Sequence, residues 1–197
     1  MISIDDSYED LLVINKSKFL SFAYPVFSEE EAKGQLNILR ERFSDATHVC
    51  SAYSLSSPRI EKADDDGEPS GTAGKPMLEL LKKKGLENVL LVVVRYFGGI
   101  KLGAGGLVRA YTGAGNLVLD KAKVVNKVAV NEFIAKIDLS LGSKLQESIR
   151  SMGGEIISCV YNDKTEISFC GEICDKIKSI YPSVEIEKIG SKIVCQK

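Results

Sequence analysis

The sequence has no apolar run long enough to cross a lipid bilayer. Its longest, Val89–Val94, lies between Asn88 and Arg95, whereas a membrane-spanning helix needs about 20 apolar residues. The first residues also have neither the basic start nor the apolar core of a signal peptide. We therefore expect a cytoplasmic protein with no membrane partner.

An excess of either charge is also absent, because 26 Lys and Arg residues oppose 27 Asp and Glu residues in a chain of 197. A protein that binds duplex nucleic acid by neutralising phosphates usually has a strongly basic surface. The balance therefore disfavours generic duplex binding. It still allows a local basic patch on a neutral protein.

The cysteines form neither an even-numbered disulfide framework nor a CxxC pair. Cys170 and Cys174 stand four residues apart with no histidine nearby, which is a weak spacing for zinc. We interpret the thiols as structural and expect no cofactor and no metal. The cysteines in question are Cys50, Cys159, Cys170, Cys174 and Cys195.

Hydrophobic periodicity predicts an α+β chain with two domains, residues 1–125 and 126–197. The helices of the first domain are expected on one face of its sheet. Residues Ser56–Gly74 are expected to form a long polar loop, a kind that is usually functional or disordered. The predicted elements of this domain are two strands within Tyr8–Val26, a helix capped by Ser28, the strand His48–Leu55, a helix from Pro76 to Lys84, the strand Leu86–Tyr96 and a helix starting near Ala104.

The second domain is expected to follow a βαββαβ order, which is the ferredoxin-like pattern of helices on one face of an antiparallel sheet. Its predicted elements are the strand Val128–Leu139, the helix Gly142–Met152, the strands Glu155–Tyr161 and Thr165–Cys170, the helix Glu172–Ile180 and the strand Val184–Ile189, for which an extension through Val194 stays open.

Glycine is concentrated between Asp64 and Asn116, where nine of the seventeen glycines precede Gly113. The loop from Gly98 to Gly106 leads from a predicted strand into a predicted helix. Such a helix start presents unpaired N–H groups and a partial positive charge that favour phosphate. The alternative is that the glycines only let the loop cross the sheet edge. The glycines and nearby cations in question are Gly98, Gly99, Gly103, Gly105, Gly106, Arg95, Lys101 and Arg109.

Neither nucleotide-binding motif is complete. The Gly74–Lys75 pair of the run GTAGKP can be aligned with the Gly-Lys pair of a P-loop. In that alignment Pro69 stands where a P-loop has its first glycine, and Pro76 stands where it has Ser or Thr. In the run starting at Gly103, Val108 replaces the third glycine of the dinucleotide fingerprint. The sequence therefore indicates a more general anion site.

Four carboxylates stand within five residues, at Asp64, Asp65, Asp66 and Glu68. They could ligate a divalent metal, although the EF-hand spacing is absent. The favoured alternative is a solvated loop or one that pairs internally with Arg95 or Lys75.

His48, the single histidine, lies two residues from Cys50 on a predicted strand. Their side chains share a face about 7 Å apart, which disfavours direct proton transfer in a catalytic Cys–His pair. A hydrogen-bonded His48 lining the glycine-rich face is the favoured interpretation.

Three segments resemble the IMPACT family: ATHVCSAY (Ala46–Tyr53), DDGEPSGTAGKP (Asp65–Pro76) and NVLLVVVRYFGGIKLGAGGLVRAY (Asn88–Tyr111). The resemblance implies an N-terminal domain like the second domain of a small-subunit ribosomal protein and RNase PH-type proteins. It implies a C-terminal domain similar to the last domain of elongation factor G. Eukaryotic members of the family regulate translation.

Three functions remain open from the sequence. One is a noncatalytic protein that contacts RNA, the ribosome or a translation factor through the glycine-rich face. Another is an enzyme for a phosphorylated or nucleotide substrate, with a metal or acid–base chemistry at the carboxylates and Lys75 stabilising charge. The last is a protein-interaction adaptor. The predicted binding residues are Arg95, Gly98, Gly99, Lys101, Gly103, Gly105, Gly106, Arg109, Lys75, His48, Asp65, Asp66 and Glu68.

Overall fold

The computed structural model describes residues 2–195, except the side chains of residues 192, 194 and 195. The chain divides into two compact units that meet at the Asn126–Lys127 bond. It is a mixed structure of antiparallel sheets and five α-helices within the described residues. No helix in this range has the length and apolar character that a bilayer span requires.

The first unit is built on a five-stranded antiparallel sheet. Its elements are β1 (Ile2–Ile4), β2 (Tyr8–Ile14), β3 (Ser17–Pro25), α1 (Glu29–Arg42), β4 (His48–Ser56), β5 (Arg59–Asp64), α2 (Gly74–Lys83), β6 (Val89–Tyr96) and α3 (Gly103–Lys121). The sheet has the order β2-β3-β6-β4-β5. The short β1 lies outside it and pairs with Val124–Asn126.

Helices cover both faces of this sheet, so the expectation of helices on one face is wrong. On β6, Val89, Leu91 and Val93 pack into a core with α2 and α3. The alternate side chains Leu90, Val92 and Val94 pack into a second core with α1. Successive side chains of a strand point to opposite faces, so the unbroken apolar run of β6 results from burial on both sides.

The start of α1 is confirmed as predicted. The amide of Glu31 donates to Ser28 Oγ at 3.1 Å, and Glu31 Oε2 accepts from the amide of Phe27 at 2.8 Å. Together these bonds satisfy backbone donors at the helix start. The face carrying Ala32, Leu36 and Leu39 then packs against the sheet.

The predicted polar loop of residues 56–74 is shorter than expected, because β5 pairs with β4 along Ser51–Ser56. The sequence of β5, RIEKAD, has too few apolar residues to show strand alternation. Charged side chains are typical of an edge strand, which has one unpaired side. The remaining residues 65–73 form a compact loop, called here the acid loop.

The second unit has the predicted βαββαβ order. Its elements are β7 (Val124–Ile137), a short 3₁₀ turn (Leu139–Leu141), α4 (Gly142–Ser151), β8 (Glu155–Tyr161), β9 (Thr165–Cys170), α5 (Cys174–Ile180) and β10 (Glu185–Cys195). The antiparallel strands have the order β10-β7-β9-β8. Side chains from α4 and α5 complete its core. β10 includes the extension from Ile189 through Val194 that the sequence left open.

The cysteine side chains that the structure describes form no disulfide with one another; they are those of Cys50, Cys159, Cys170 and Cys174. The thiol of Cys195 lies outside the described residues.

Candidate functional site

A cavity of about 430 Å³ lies where the end of β6 meets the start of α3. We call it the α3 cavity. The start of β4, the acid loop and the first turn of α3 form its walls. The lining side chains that bear on function are His48, Glu68, Arg95, Phe97 and Lys101. The structure thus brings together residues that are up to 53 positions apart in the chain, from His48 to Lys101.

A buried ion pair forms the floor of the α3 cavity. Glu68 Oε1 accepts from Arg95 Nη1 at 2.5 Å and from the hydroxyl of Tyr111 at 2.7 Å. The side chains of Glu68 and Arg95 are only 2% and 6% exposed. Each charge therefore compensates the other, since an unpaired buried charge would be strongly destabilising. Internal pairing with Arg95, the alternative predicted for the acid loop, is present at Glu68.

The guanidinium of Arg95 lies between two aromatic rings. Its Cζ is 5.4 Å from the ring centroid of Phe19 and 5.4 Å from that of Phe97. Its Nε has no hydrogen-bond partner among the described residues. Arg95 therefore lines the cavity from a buried position and does not stand on the surface as a mobile cation.

Asp65 organises the acid loop through its backbone contacts. Oδ1 accepts from the amides of Ala73 and Gly74 at 3.0 and 2.8 Å, and Oδ2 accepts from Gly71 at 2.7 Å. Burial alone would raise the pKa of Asp65, but these donors favour the ionised form and hold its pKa below the usual value. The carboxylate therefore fixes the chain as it enters α2.

Asp66, together with Asp64 at the end of β5, connects the acid loop to neighbouring elements. Asp66 Oδ2 accepts from the amide of Val49 at 2.6 Å. Arg40 Nη2 lies 2.9 Å from Asp64 Oδ2 and 3.7 Å from Asp66 Oδ1. These bonds attach the acid loop to β4 and α1.

His48 and Cys50 both bond to the backbone of the acid loop. His48 Nδ1 donates to the carbonyl of Asp66 at 2.8 Å, because a carbonyl can only accept. Its Nε2 lies 3.8 Å from Glu68 Oε1 and lines the α3 cavity. The Cys50 thiol donates to the carbonyl of Asp65 at 3.0 Å. These contacts give His48 the hydrogen-bonded role that the sequence favoured.

Cys50 is not placed to act as a nucleophile. Its side chain is fully buried, and burial raises the pKa of its thiol to about 12. A thiol with that pKa stays protonated at neutral pH, whereas the thiolate is the reactive species. The structure therefore gives no support to a catalytic Cys50–His48 pair.

The carboxylates of the acid loop are occupied by internal contacts with amides and arginines. Within residues 2–195, no group of three or more His, Cys, Asp and Glu side chains is arranged to hold a metal ion. Asp65, Asp66 and Glu68 lie near one another in the chain, but each serves a different neighbour. These separate contacts explain why the acid loop is compact.

Gly98 and Gly99 have structural reasons to be glycine. The amide of Gly98 donates to Ser17 Oγ at 3.0 Å, and a Cβ at Gly98 would overlap the backbone of Lys16. Gly99 has a φ of +85°, a left-handed conformation that disfavours other residues. Gly98 therefore fits the alternative prediction that the glycines let the loop cross the sheet edge, because it lies close to the β2–β3 turn.

The start of α3 has the features expected of an anion site. Gly103, Ala104 and Gly105 are exposed, while Gly106 is half-buried. No side chain caps this turn and no acidic residue lies within it. The first amides of an α-helix have no intrahelical acceptor and create a partial positive charge. Negative groups are therefore favoured beside this turn.

Two exposed cations flank the start of α3. Lys101 precedes the helix and lines the α3 cavity, and Arg109 lies on the exposed side of the helix. Arg109 also approaches Gly105, since its Nη1 would lie 3.6 Å from a Cβ placed there. Both cations add to the positive charge of the helix start.

Lys75 lies apart from this group. It lines a separate groove of about 650 Å³ between α2 and α3, together with Glu79, Lys83 and Lys84. The predicted binding residues are therefore divided between two surfaces. Sequence reasoning also missed Phe97, which is 45% exposed and lines the α3 cavity. In the sequence, the feature that could have indicated Phe97 is its position between an apolar strand and two glycines.

Comparison with known proteins assigns a family to this chain. The family model for the Impact N-terminal domain matches residues 15–119, which is more than half of the sequence. The chain belongs to the IMPACT family. The resemblance inferred from the sequence motifs is thus confirmed, and the matched residues include the acid loop and the start of α3.

Several IMPACT family members are similar over most of their length. The chain is 39% identical over 165 residues to IMPACT family member YvyE of Bacillus subtilis, covering 83% of this chain and 76% of that protein. It is 36% identical over 151 residues to YigZ of Escherichia coli, covering 75% and 74%. A crystal structure described as that of a hypothetical protein is 29% identical, with a TM-score of 0.69 and coverage of 95% and 96%.

Proposed function

We propose that this protein is a noncatalytic, cytoplasmic binding protein that contacts RNA of the translation machinery through the α3 cavity and the start of α3. Membership of the IMPACT family supports a role in translation, which is the role its resemblance to eukaryotic members implies. The ribosomal-protein or RNase PH-like fold implied for the first unit, and the ferredoxin-like fold implied for the second, are part of this proposal.

The observation that carries the proposal is the uncapped and exposed first turn of α3. Its glycines allow another molecule to approach the backbone amides closely. Lys101 and Arg109 add cations on either side. Phosphate groups of RNA match this arrangement of amides and positive charge.

The internal contacts of the acid loop support a noncatalytic role. An acid or base must reach its substrate, but Asp65 and Glu68 are engaged with backbone amides, Arg95 and Tyr111. Burial also keeps the Cys50 thiol protonated. No observation favours the alternative of an enzyme for a phosphorylated substrate.

A binding assay with paired variants tests this function. Purified protein is mixed with ribosomes or with fluorescein-labelled single-stranded RNA, and binding is measured over a range of salt concentrations. Replacing both Lys101 and Arg109 with Ala should weaken binding about tenfold or more. It should also reduce the slope of log K against log salt by about 0.7 for each lost phosphate contact.

The matched control replaces Lys176 and Lys178, two exposed lysines of α5, with Ala. Arg95 is unsuitable for this test because its loss would leave Glu68 buried without its partner. Equal binding by the wild type and the Lys101/Arg109 variant would contradict the proposed site. Failure of the wild type to bind either RNA or ribosomes would contradict the proposed function.

A further inference from the structure

A second cavity of about 430 Å³ lies beside the turn that joins β2 and β3. We call it the β3 cavity. Lys16 and Lys18 line it, together with the aromatic side chains of Phe43, Tyr96 and Phe97. None of these residues was predicted from the sequence to bind a partner. The combination of lysines and aromatic rings is characteristic of surfaces that hold single-stranded nucleic acid.

Phe97 joins the two cavities, because it lines both of them. Arg95 and Tyr96 are consecutive on β6, so their side chains point to opposite faces of the sheet. Arg95 lines the α3 cavity and Tyr96 lines the β3 cavity. The two cavities therefore lie on either side of the end of β6, with Phe97 between them.

The combined surface is positive although the whole chain is almost neutral. The residues lining the two cavities include the cations Lys16, Lys18, Arg95 and Lys101 but only one acid, Glu68. Glu68 is already paired with Arg95, which leaves the three lysines in excess. Asp45 lies beside the β3 cavity, where its carboxylate accepts a hydrogen bond from the hydroxyl of Tyr96 at 2.7 Å. A polyanion complements this surface in charge.

Phe97 has the position required of a stacking platform. The guanidinium of Arg95 lies 5.4 Å from its ring centroid, and 45% of the residue remains exposed. The contact with Arg95 orients the ring while leaving ring surface open to solvent. A base stacked on an aromatic ring gains about 1–3 kcal/mol in RNA and DNA complexes, whereas a peptide of Asp and Glu residues has no ring to stack on Phe97.

We propose that single-stranded RNA crosses the end of β6 with one base stacked on Phe97 and its phosphates beside Lys101 in the α3 cavity and Lys16 and Lys18 in the β3 cavity. This inference rests on the proposed RNA-binding function and deepens it by defining the path and the strand state of the partner. Duplex RNA does not fit this path, because its bases are paired and stacked inside the helix.

The test measures fluorescence anisotropy of a short labelled oligouridine with the full chain. Phe97→Leu keeps an apolar side chain but removes the π face, and Phe97→Trp restores a larger one. We expect Phe97→Leu to weaken binding about tenfold and Phe97→Trp to bind at least as tightly as the wild type. Lys16→Gln with Lys18→Gln should lower the salt slope by about 1.4.

The control variant is Lys176→Gln with Lys178→Gln, and circular dichroism establishes that every variant is folded. Wild-type binding to the single strand at least tenfold tighter than to a matched duplex or to polyglutamate supports the inference. The path is overturned if Phe97→Leu and the Lys16/Lys18 variant bind like wild type. Should the Lys101/Arg109 variant alone lose binding, the proposed function survives without this path. A matched single-stranded DNA that binds more tightly overturns RNA as the occupant.

Discussion

Asp65 is the single residue whose contacts most clearly hold part of the candidate site in place. Its carboxylate accepts three backbone hydrogen bonds that hold the acid loop against α2. The pKa of Asp65 is lowered in the folded state, so its ionised form stabilises the fold above the unfolded pKa of about 3.9. That contribution is lost as pH falls through the lower, folded-state pKa.

We expect Asp65→Asn to reduce the free energy of unfolding at pH 7, because the amide side chain has only one oxygen to accept the hydrogen bonds that both carboxylate oxygens accept. The expected loss is about 1 kcal/mol, because solvent screens this half-buried site. The difference from wild type should shrink as pH falls below about 4. Urea unfolding across a pH series measures it. Asp163→Asn, at an exposed position, is the control. A difference that stays constant from pH 7 to pH 3 would contradict the role assigned to Asp65.

Cys50 provides a second test at the scale of a residue. Burial raises the pKa of its thiol to about 12, so iodoacetamide should modify it far more slowly in the native protein than in urea. Mass spectrometry of tryptic peptides measures this, with the partly exposed Cys159 as the internal comparison. Native labelling of Cys50 as fast as that of Cys159 would contradict the burial of its thiol against the acid loop.

For secondary-structure elements, the sequence predicts best those features that depend on residues close together in the chain. The start of α1 follows from Ser28 and Glu31, three residues apart, and it was predicted correctly. β5 is an edge strand of mainly charged residues, so its pairing with β4 left no local signal. The unbroken apolar run of β6 already indicates burial on both faces of the sheet, whereas the sequence analysis expects helices on one face only.

The candidate site depends on contacts between distant elements, and for that reason only part of it could be predicted from the sequence. The glycines and cations at the start of α3 were predicted as a group. The burial of Arg95 depends on Glu68, 27 residues earlier, and on the rings of Phe19 and Phe97. The exposure of Phe97 depends on how the 98–106 loop crosses the β2–β3 turn. Neither could be deduced from spacing.

That crossing yields a prediction for the loop as an element. Gly98→Ala should destabilise the protein by about 1–3 kcal/mol, because its Cβ would overlap the backbone of Lys16 and force the loop outwards. Gly34→Ala is the matched control, since nothing lies near that position in α1 and Ala favours a helix. Thermal unfolding should show Gly98→Ala below and Gly34→Ala at or above wild type. Equal melting temperatures would contradict the close crossing.

For the whole molecule, we propose that recognition belongs to the first unit, where the start of α3, Lys101 and Phe97 line one cavity. The chain is almost neutral overall, so the binding proposed here requires a local arrangement of charge and does not follow from net charge. The family model matches residues 15–119, a range that includes Phe97, Lys101 and the start of α3.

The most direct measurement is a titration of ¹⁵N-labelled protein with single-stranded RNA, followed by amide chemical shifts in NMR spectra. We expect saturable shifts at Gly99, Lys101 and Gly103–Gly106, with smaller effects at Lys16 and Lys18. Lys101→Ala with Arg109→Ala should abolish or strongly weaken these shifts. Shifts confined to the second unit, or no saturable shift at the start of α3, would contradict the central claim.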